Sequence, residues 1–276
     1  MFIAAVPQTK PSGGLIARLR SGLKRANTLC RCEEEGIGYY RLAIKIKRGE
    51  PDFTEVRALF PRFTGKLLVA KNLDLPQELA ALKYSSAGFR ARLMLRASAK
   101  ISELLPLPLI KRSIGLVDEE GIYPSFTETL IKYSPVVMVY TLRPERYSCI
   151  RELLMERYGA PLILAQSLFM LNSCALVYLP ECGAAKGLTA PLLISGGTPT
   201  GLGRENLLYL HSLALGREAL NLVPEGIAPV DFFGAASELC ARREYESLAP
   251  AAYLAGSRVI TAGELAQYIP AVINYR

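Results

Sequence analysis

The sequence predicts an α/β protein whose C-terminal side is built on a parallel sheet covered on both faces. Three observations carry that prediction. Short runs that are apolar on both faces recur at Ile114–Val117, Pro135–Tyr140, Leu162–Ala165, Ala175–Leu179 and Leu192–Ser195, the pattern of strands buried front and back. Helical patterns at Pro124–Tyr133 and Pro144–Tyr158 separate the first three runs, and strand–helix alternation is the signature of βαβ units. Finally, 50% of the 276 residues are apolar and 21% are charged. That supplies core for two domains and excludes a disordered tail, a collagen-like fibre and a disulfide-rich miniprotein.

The front of the chain mixes its elements. Phe2–Val6 reads as a strand, and Gly14–Ala26 as a helix with Leu15, Ile16, Leu19 and Leu23 on one face. Tyr39–Lys47 alternates, with Tyr40, Leu42, Ile44 and Ile46 set against Arg41, Ala43, Lys45 and Lys47, as in a strand with one wet face. Leu67–Ala70 is a short strand. Ala87–Leu105 is a long helix closed by Pro106 and Pro108, since proline cannot continue a helix. The boundary expected at 106–112 gives a smaller basic α/β domain, 1–108, and a parallel-sheet domain, 109–276. In the latter, Ser125-x-x-Glu128 has the form of a capping box and Gly159 of a helix stop.

Charge is unevenly spread. The net +8 divides into +11 over residues 1–100 (19 Lys/Arg against 8 Asp/Glu) and −3 over the remainder. Arg92, Arg96 and Lys100 repeat every fourth residue of the long helix. Such a stripe is a solvated helix face or a footprint for a polyanion, and no nucleic-acid motif accompanies it. The expectation is therefore no nucleic-acid partner, with polyanion binding kept as an alternative.

The six cysteines lack a disulfide framework. Cys149, Cys174 and Cys240 lie in apolar or helical stretches where cysteine serves as a small buried hydrophobe, and Cys30-Arg-Cys32 is not a C-x-x-C site. With a single histidine, no metal site is expected. The first ten residues lack a charged n-region, so no signal peptide is read. The apolar stretch Leu162–Leu179 carries Gln166, Ser167, Asn172 and Ser173 in its middle, and reads as two buried strands joined by a polar turn rather than a membrane span. The expectation is a reduced, cytoplasmic protein with no membrane partner.

Three pieces between Ile114 and Gly183 fall in a recognisable order. The strand Ile114-Gly-Leu-Val117 comes first. Next is Val137-Met-Val-Tyr-Thr-Leu-Arg143-Pro-Glu-Arg146, running into a helix that ends Glu156-Arg-Tyr-Gly159. Asn172-Ser-Cys-Ala-Leu-Val-Tyr178 closes the set. Together they resemble the NADP-binding half of the shikimate dehydrogenase and glutamyl-tRNA reductase group. The resemblance implies a Rossmann-like domain over 109–276 and, in the family, an arginine turn that reads the 2′-phosphate of NADP. Arg143 stands 25 residues after Asp118, close to the family's distance from glycine loop to arginine.

The departure from that family is chemical. A dinucleotide fold needs G-x-G-x-x-G/A after its first strand, so that backbone amides can approach the pyrophosphate. Here the position reads Asp118-Glu-Glu-Gly121-Ile-Tyr-Pro124, three carboxylates and a proline that donates no amide. No lysine-bearing N-x-T-x-P-x-K stretch precedes it. The sequence thus favours a non-catalytic Rossmann-like binding or interaction protein that has lost the glycine loop, with no cofactor expected. The alternative is an NADP-dependent oxidoreductase that holds its cofactor unconventionally.

Candidate cofactor-binding residues are Arg143, Arg146, Gly196, Gly197 and Thr198. The two arginines sit at the carboxyl edge of a core strand, where open α/β sheets receive ligands. There Arg143 either meets a phosphate or pairs with Asp118, Glu119 or Glu120, and the pairing is the favoured expectation. The glycines open the 195–203 loop, a place for a small anionic ligand. His211 reads as part of a helix, Glu205–Leu215, amid leucines, and no catalytic residue is assigned.

Overall fold

Apolar runs and turn residues combine into two units in the computed structural model, which describes residues 1–8, 28–48, 50–58, 62–180, 187–197 and 204–274. The first unit comprises Met1–Ser86 and Leu215–Ser247, the second Ala87–Ala214 and Leu248–Arg276. The expected helix Gly14–Ala26 lies outside the described residues.

In the first unit, β1 (Phe2–Pro7) is buried on both faces along nearly its whole length and is therefore an inner strand. It pairs in parallel with β3 (Ile37–Ile44) and with β6 (Leu67–Val69), while β2 (Thr28–Glu34) pairs antiparallel with β3. The resulting order is β2-β3-β1-β6. β3 ends sooner than its alternation suggests. Ile46 is 42% exposed and belongs to a separate two-residue ribbon, β4 (Ile46–Lys47) against β5 (Glu50–Pro51).

Aromatic packing draws the returning segment 215–247 into this unit. Tyr39 stacks on Phe2 at 5.5 Å, and Phe232 meets both rings edge-on at 5.6 Å. Phe232 belongs to the helix Pro229–Leu239, which opens on a proline, where the missing amide costs nothing. The Tyr84 hydroxyl donates to Glu238 Oε2 at 2.6 Å, and the Ser86 hydroxyl to Asp231 Oδ1 at 2.5 Å.

Among the described residues the second unit holds eight strands: β7 (Ser113–Val117), β8 (Val136–Tyr140), β9 (Leu162–Ala165), β10 (Leu176–Leu179), β11 (Leu192–Ser195), β12 (Leu207–Leu213), β13 (Pro250–Ala255) and β14 (Arg258–Thr261). Their order is β9-β8-β7-β10-β11-β12-β13-β14, parallel from β9 to β12 and antiparallel beyond. Counted from β7, the parallel part runs 3-2-1-4-5-6, the doubly wound order whose switch point lies beside strand 1. The stretch Leu162–Leu179 is two strands, joined by the 3₁₀ turn Leu168–Ser173. Among the described residues no helix is long and apolar enough to cross a membrane.

Three expectations are corrected. The unit boundary falls at Ser86/Ala87 rather than near residue 108, because the helix Ala87–Glu103 buries Phe89, Leu93, Met94 and Ile101 and touches β10, β11 and β13. His211 stands on a strand, exposed beside a register shift, because Leu207–Leu210 is a doubly buried run and not a helix face. Ser125 does not cap a helix. Pro124–Phe126 is a 3₁₀ turn followed by the short helix Thr127–Leu130, and Glu128 instead accepts from Arg157 Nη1 at 3.0 Å and from the Tyr158 hydroxyl at 2.9 Å.

Gly196 shows what holds the long helix in place. A Cβ there would stand 2.5 Å from the Ala91 Cα and 2.7 Å from its amide nitrogen, so only glycine lets the helix backbone approach the end of β11. Gly196→Ala is expected to lower stability by about 2 kcal/mol, the scale of overpacking, as a shift in the urea midpoint at unchanged slope.

Candidate functional site

In a doubly wound sheet the ligand crevice lies at the carboxyl ends of the strands, at the switch point. Here that edge carries the turn after β7, the turn after β8 and the start of the 195–203 loop. Four of the five candidates are described at this edge. Arg143 and Arg146 follow β8, Gly196 and Gly197 follow β11, and Thr198 lies outside the described residues.

The turn after β7 is organised by Asp118, which is only 3% exposed. Its Oδ1 accepts the amide of Ile122 at 2.8 Å, and its Oδ2 accepts the amide of Tyr123 at 2.8 Å and the hydroxyl of Tyr147 at 2.5 Å. An aspartate that bonds amides further along its own chain is a familiar turn device. Its placement is what matters here. The amides it takes follow the first strand, where a dinucleotide fold presents amides to a pyrophosphate, and a side-chain carboxylate fills them instead.

The turn closes around this carboxylate. The Gly121 amide donates to the Asp118 carbonyl at 3.1 Å, and Gly121 takes φ +64°, a left-handed conformation suited to glycine. A Cβ at Gly121 would lie 2.8 Å from Arg146 Cδ and 3.2 Å from Arg143 Cβ, so both arginine stems rest against the turn. Arg146 Nη1 also reaches the Gly121 carbonyl at 3.5 Å. The Leu142 amide donates to the Glu119 carbonyl at 3.0 Å, which extends the β7–β8 pairing beyond the strands.

The expected pairing of Arg143 with the acidic run is not formed. Among the described residues no ion pair joins Arg143 to Asp118, Glu119 or Glu120. Asp118 points inward to its three donors, whereas Glu119, Glu120, Arg143 and Arg146 face solvent. Consecutive residues on a turn cannot all point at one partner. Sequence reasoning also missed Tyr147, whose single signal was a tyrosine four residues beyond Arg143, at the entry to an amphipathic helix.

The amides opening the 195–203 loop are likewise satisfied from within. Gly196 donates to the Leu179 carbonyl at 3.2 Å and Gly197 to the buried Ser195 hydroxyl at 3.1 Å. With β10 between β7 and β11, this loop starts about 10 Å from the Asp118 turn at ordinary strand spacing. The basic stripe of the long helix is not a row of free charges. Arg92 is half-buried, and Arg92 and Arg96 are both engaged with partners. Cys174 is buried, which pushes its thiol up to about 11, whereas Cys149 is exposed against expectation and Cys182 lies outside the described residues.

A cavity of about 650 Å³ opens at the other end of the sheet, before β7, β8 and β9, lined by Leu109, Ile110, Lys132, Ser134, Tyr158 and Pro161 among others. The Tyr158 hydroxyl is already committed to Glu128. The chemistry of this cavity is apolar contact.

Tyr147 is fully buried, and burial first, then the bond to Asp118, pushes its hydroxyl above the ordinary tyrosine range. A phenol raised in the folded state holds its proton after the unfolded chain has lost it. Its contribution is therefore complete below about pH 10 and declines above, by up to about 1.4 kcal/mol per pH unit. Tyr147→Phe is expected to flatten the alkaline fall in stability between pH 10 and 12, measured by urea unfolding. Asp118→Ala orphans two amides and a hydroxyl and is expected to destabilise by about 3 kcal/mol; a loss under about 1 kcal/mol would show that water replaces the carboxylate.

No family model matches the chain, and no curated protein sequence does. Among solved structures it is similar to L-tryptophan dehydrogenase from Nostoc punctiforme, at 11% identity over 99% of this chain and 79% of that one, with a TM-score of 0.30. A likeness at that score carries no argument about activity. The strand order and the parallel pairing make the second unit Rossmann-like, and the chain is an α/β protein.

Proposed function

We propose that the chain is a non-catalytic Rossmann-like binding or interaction protein whose switch-point loop is occupied by its own carboxylate. The observation that carries this reading is Asp118 accepting the Ile122 and Tyr123 amides and the Tyr147 hydroxyl. With both oxygens committed, Asp118 is a poor general base, and a phosphate approaching the same amides meets a buried negative charge. The internal bonds of Gly196 and Gly197 support the reading at the neighbouring loop. The engagement of Arg92 and Arg96 leaves less support for polyanion binding. A cytoplasmic location and the absence of a bound cofactor belong to the same proposal.

The rival is an NADP-dependent oxidoreductase using Arg143, Arg146 and the 195–203 loop, and calorimetry separates the two. NADPH and NADH are expected to give no saturable heat. The melting temperature is expected to stay constant at a cofactor concentration one hundredfold above a micromolar dissociation constant, where linkage would add about 2.7 kcal/mol. Micromolar NADPH binding that Arg143→Ala abolishes would establish the rival. A second arm tests the carboxylate itself. Acetate or inorganic phosphate is expected to raise the stability of Asp118→Ala and leave the wild-type protein unchanged.

A further inference from the structure

The strand β2 is the outermost member of the first unit's sheet and, among the described residues, pairs only with β3. It is seven residues long and wet, with Leu29, Cys30, Arg31, Glu33 and Glu34 exposed. Long edges of this kind offer a row of unpaired backbone groups to another strand.

Which groups face outward follows from the hairpin. β2 and β3 are joined by Glu35 and Gly36 at φ 47° and 76°, a two-residue turn with both residues left-handed, and Glu34 faces Ile37 as the closing pair. Closing pairs of such turns exchange their own hydrogen bonds, and bonded and non-bonded pairs then alternate along the ladder. The backbones of Glu34, Cys32 and Cys30 are thus turned toward β3, and those of Glu33, Arg31 and Leu29 toward the open edge.

We propose that β2 pairs antiparallel with β2 of a second copy of this chain about a two-fold axis at Cys32. Antiparallel pairing requires outward-facing residues to meet outward-facing residues, so the axis must pass through a residue and not between two. An axis at Arg31 sets arginine against arginine, and one at Glu33 sets glutamate against glutamate. An axis at Cys30 sets Leu29 against Arg31. Only the axis at Cys32 places Arg31 opposite Glu33 of the second copy, and it does so twice by symmetry. Opposite charges directly across a ladder stabilise it and like charges oppose it. Within one chain Arg31 and Glu33 form an exposed ion pair at 3.7 Å along the strand, with side chains 63% and 66% exposed, and the second copy would exchange this solvated pair for two pairs across the ladder. The charges that would guard an edge against pairing are here arranged to select one register.

The axis also fixes a chemical reporter. The two copies of Cys32 would form a non-hydrogen-bonded pair with Cα atoms about 4.5 Å apart, within the span a disulfide accepts. Cys30 would face Glu34 of the second copy, away from any thiol.

Light scattering on the full chain at tens of micromolar tests this. The expected mass is twice the 30.2 kDa of the chain. Arg31→Glu should weaken dimerisation at least tenfold, and the swap Arg31→Glu with Glu33→Arg should restore it, with circular dichroism unchanged in both. Diamide, an azo compound that takes two electrons and two protons from a thiol pair, should cross-link the wild-type protein and Cys30→Ser but not Cys32→Ser. A monomeric wild-type chain overturns the proposal. So does a dimer indifferent to Arg31→Glu, or a cross-link that runs through Cys30 alone.

Discussion

The buried carboxylate of Asp118 is the constraint on which the second unit's carboxyl edge is built. A carboxylate withdrawn from water costs several kcal/mol unless donors replace its hydration, and here three donors do so. Each donor ties a different element to the end of β7. The Ile122 and Tyr123 amides set the turn that leads into Pro124–Phe126. Tyr147 ends the 3₁₀ turn Pro144–Tyr147, from which the helix Ser148–Tyr158 continues. Between them, the added β7–β8 pairing at Glu119 and Leu142 locks the turn in which Arg143 and Arg146 stand.

The covering of the sheet follows a related economy. On one face Val117, Val177, Leu179, Leu193, Leu207 and Tyr209 form a continuous cluster with Leu171 and Cys174. Leu171 and Cys174 come from the short connection between β9 and β10, where many doubly wound domains place a full helix. The connection fits because β7 carries Gly115, at which a Cβ would lie 3.1 Å from Val177 and 3.3 Å from Leu171. The other face receives the long helix, anchored at one end by Gly196. Toward its far end, the buried Tyr178 hydroxyl donates to the Ser98 carbonyl at 2.7 Å and lies 2.9 Å from the Ser102 hydroxyl.

Local pattern made much of this legible. The strands β7 to β11 stand within a residue of their apolar runs, since a doubly buried strand leaves a mark that does not depend on its partners. Gly159 ends its helix in the left-handed conformation, as its position suggests. What the pattern could not carry was assignment across distance. The helix Ala87–Glu103 reads the same whichever sheet it covers, and only its contacts place it in the second unit. Leucines at 207, 208, 210 and 213 fit a helix face as well as a strand, and the neighbouring β11 decided between them. At the candidate site the acidic run was visible and its position after the first strand was visible, but its division of labour was not. One carboxylate turns inward to amides and a phenol while its two neighbours face water, and that depends on Tyr147, which no local rule links to Asp118.

Filling backbone amides with a side-chain carboxylate changes what such a fold needs. A glycine-rich loop leaves its amides to solvent until a phosphate arrives, so part of the loop's order comes from the ligand. Asp118 supplies charge-assisted bonds to such amides from within the chain. The turn carries Ile122 and Leu142 exposed at its surface. Glu119 and Glu120 stand exposed beside them and add negative charge to this edge. Arg143 and Arg146 are exposed with stems packed on Gly121, and Arg146 Nη1 reaches the Gly121 carbonyl. The carboxyl edge of this doubly wound sheet is thus tied together, at the end of β7, by bonds from within the chain.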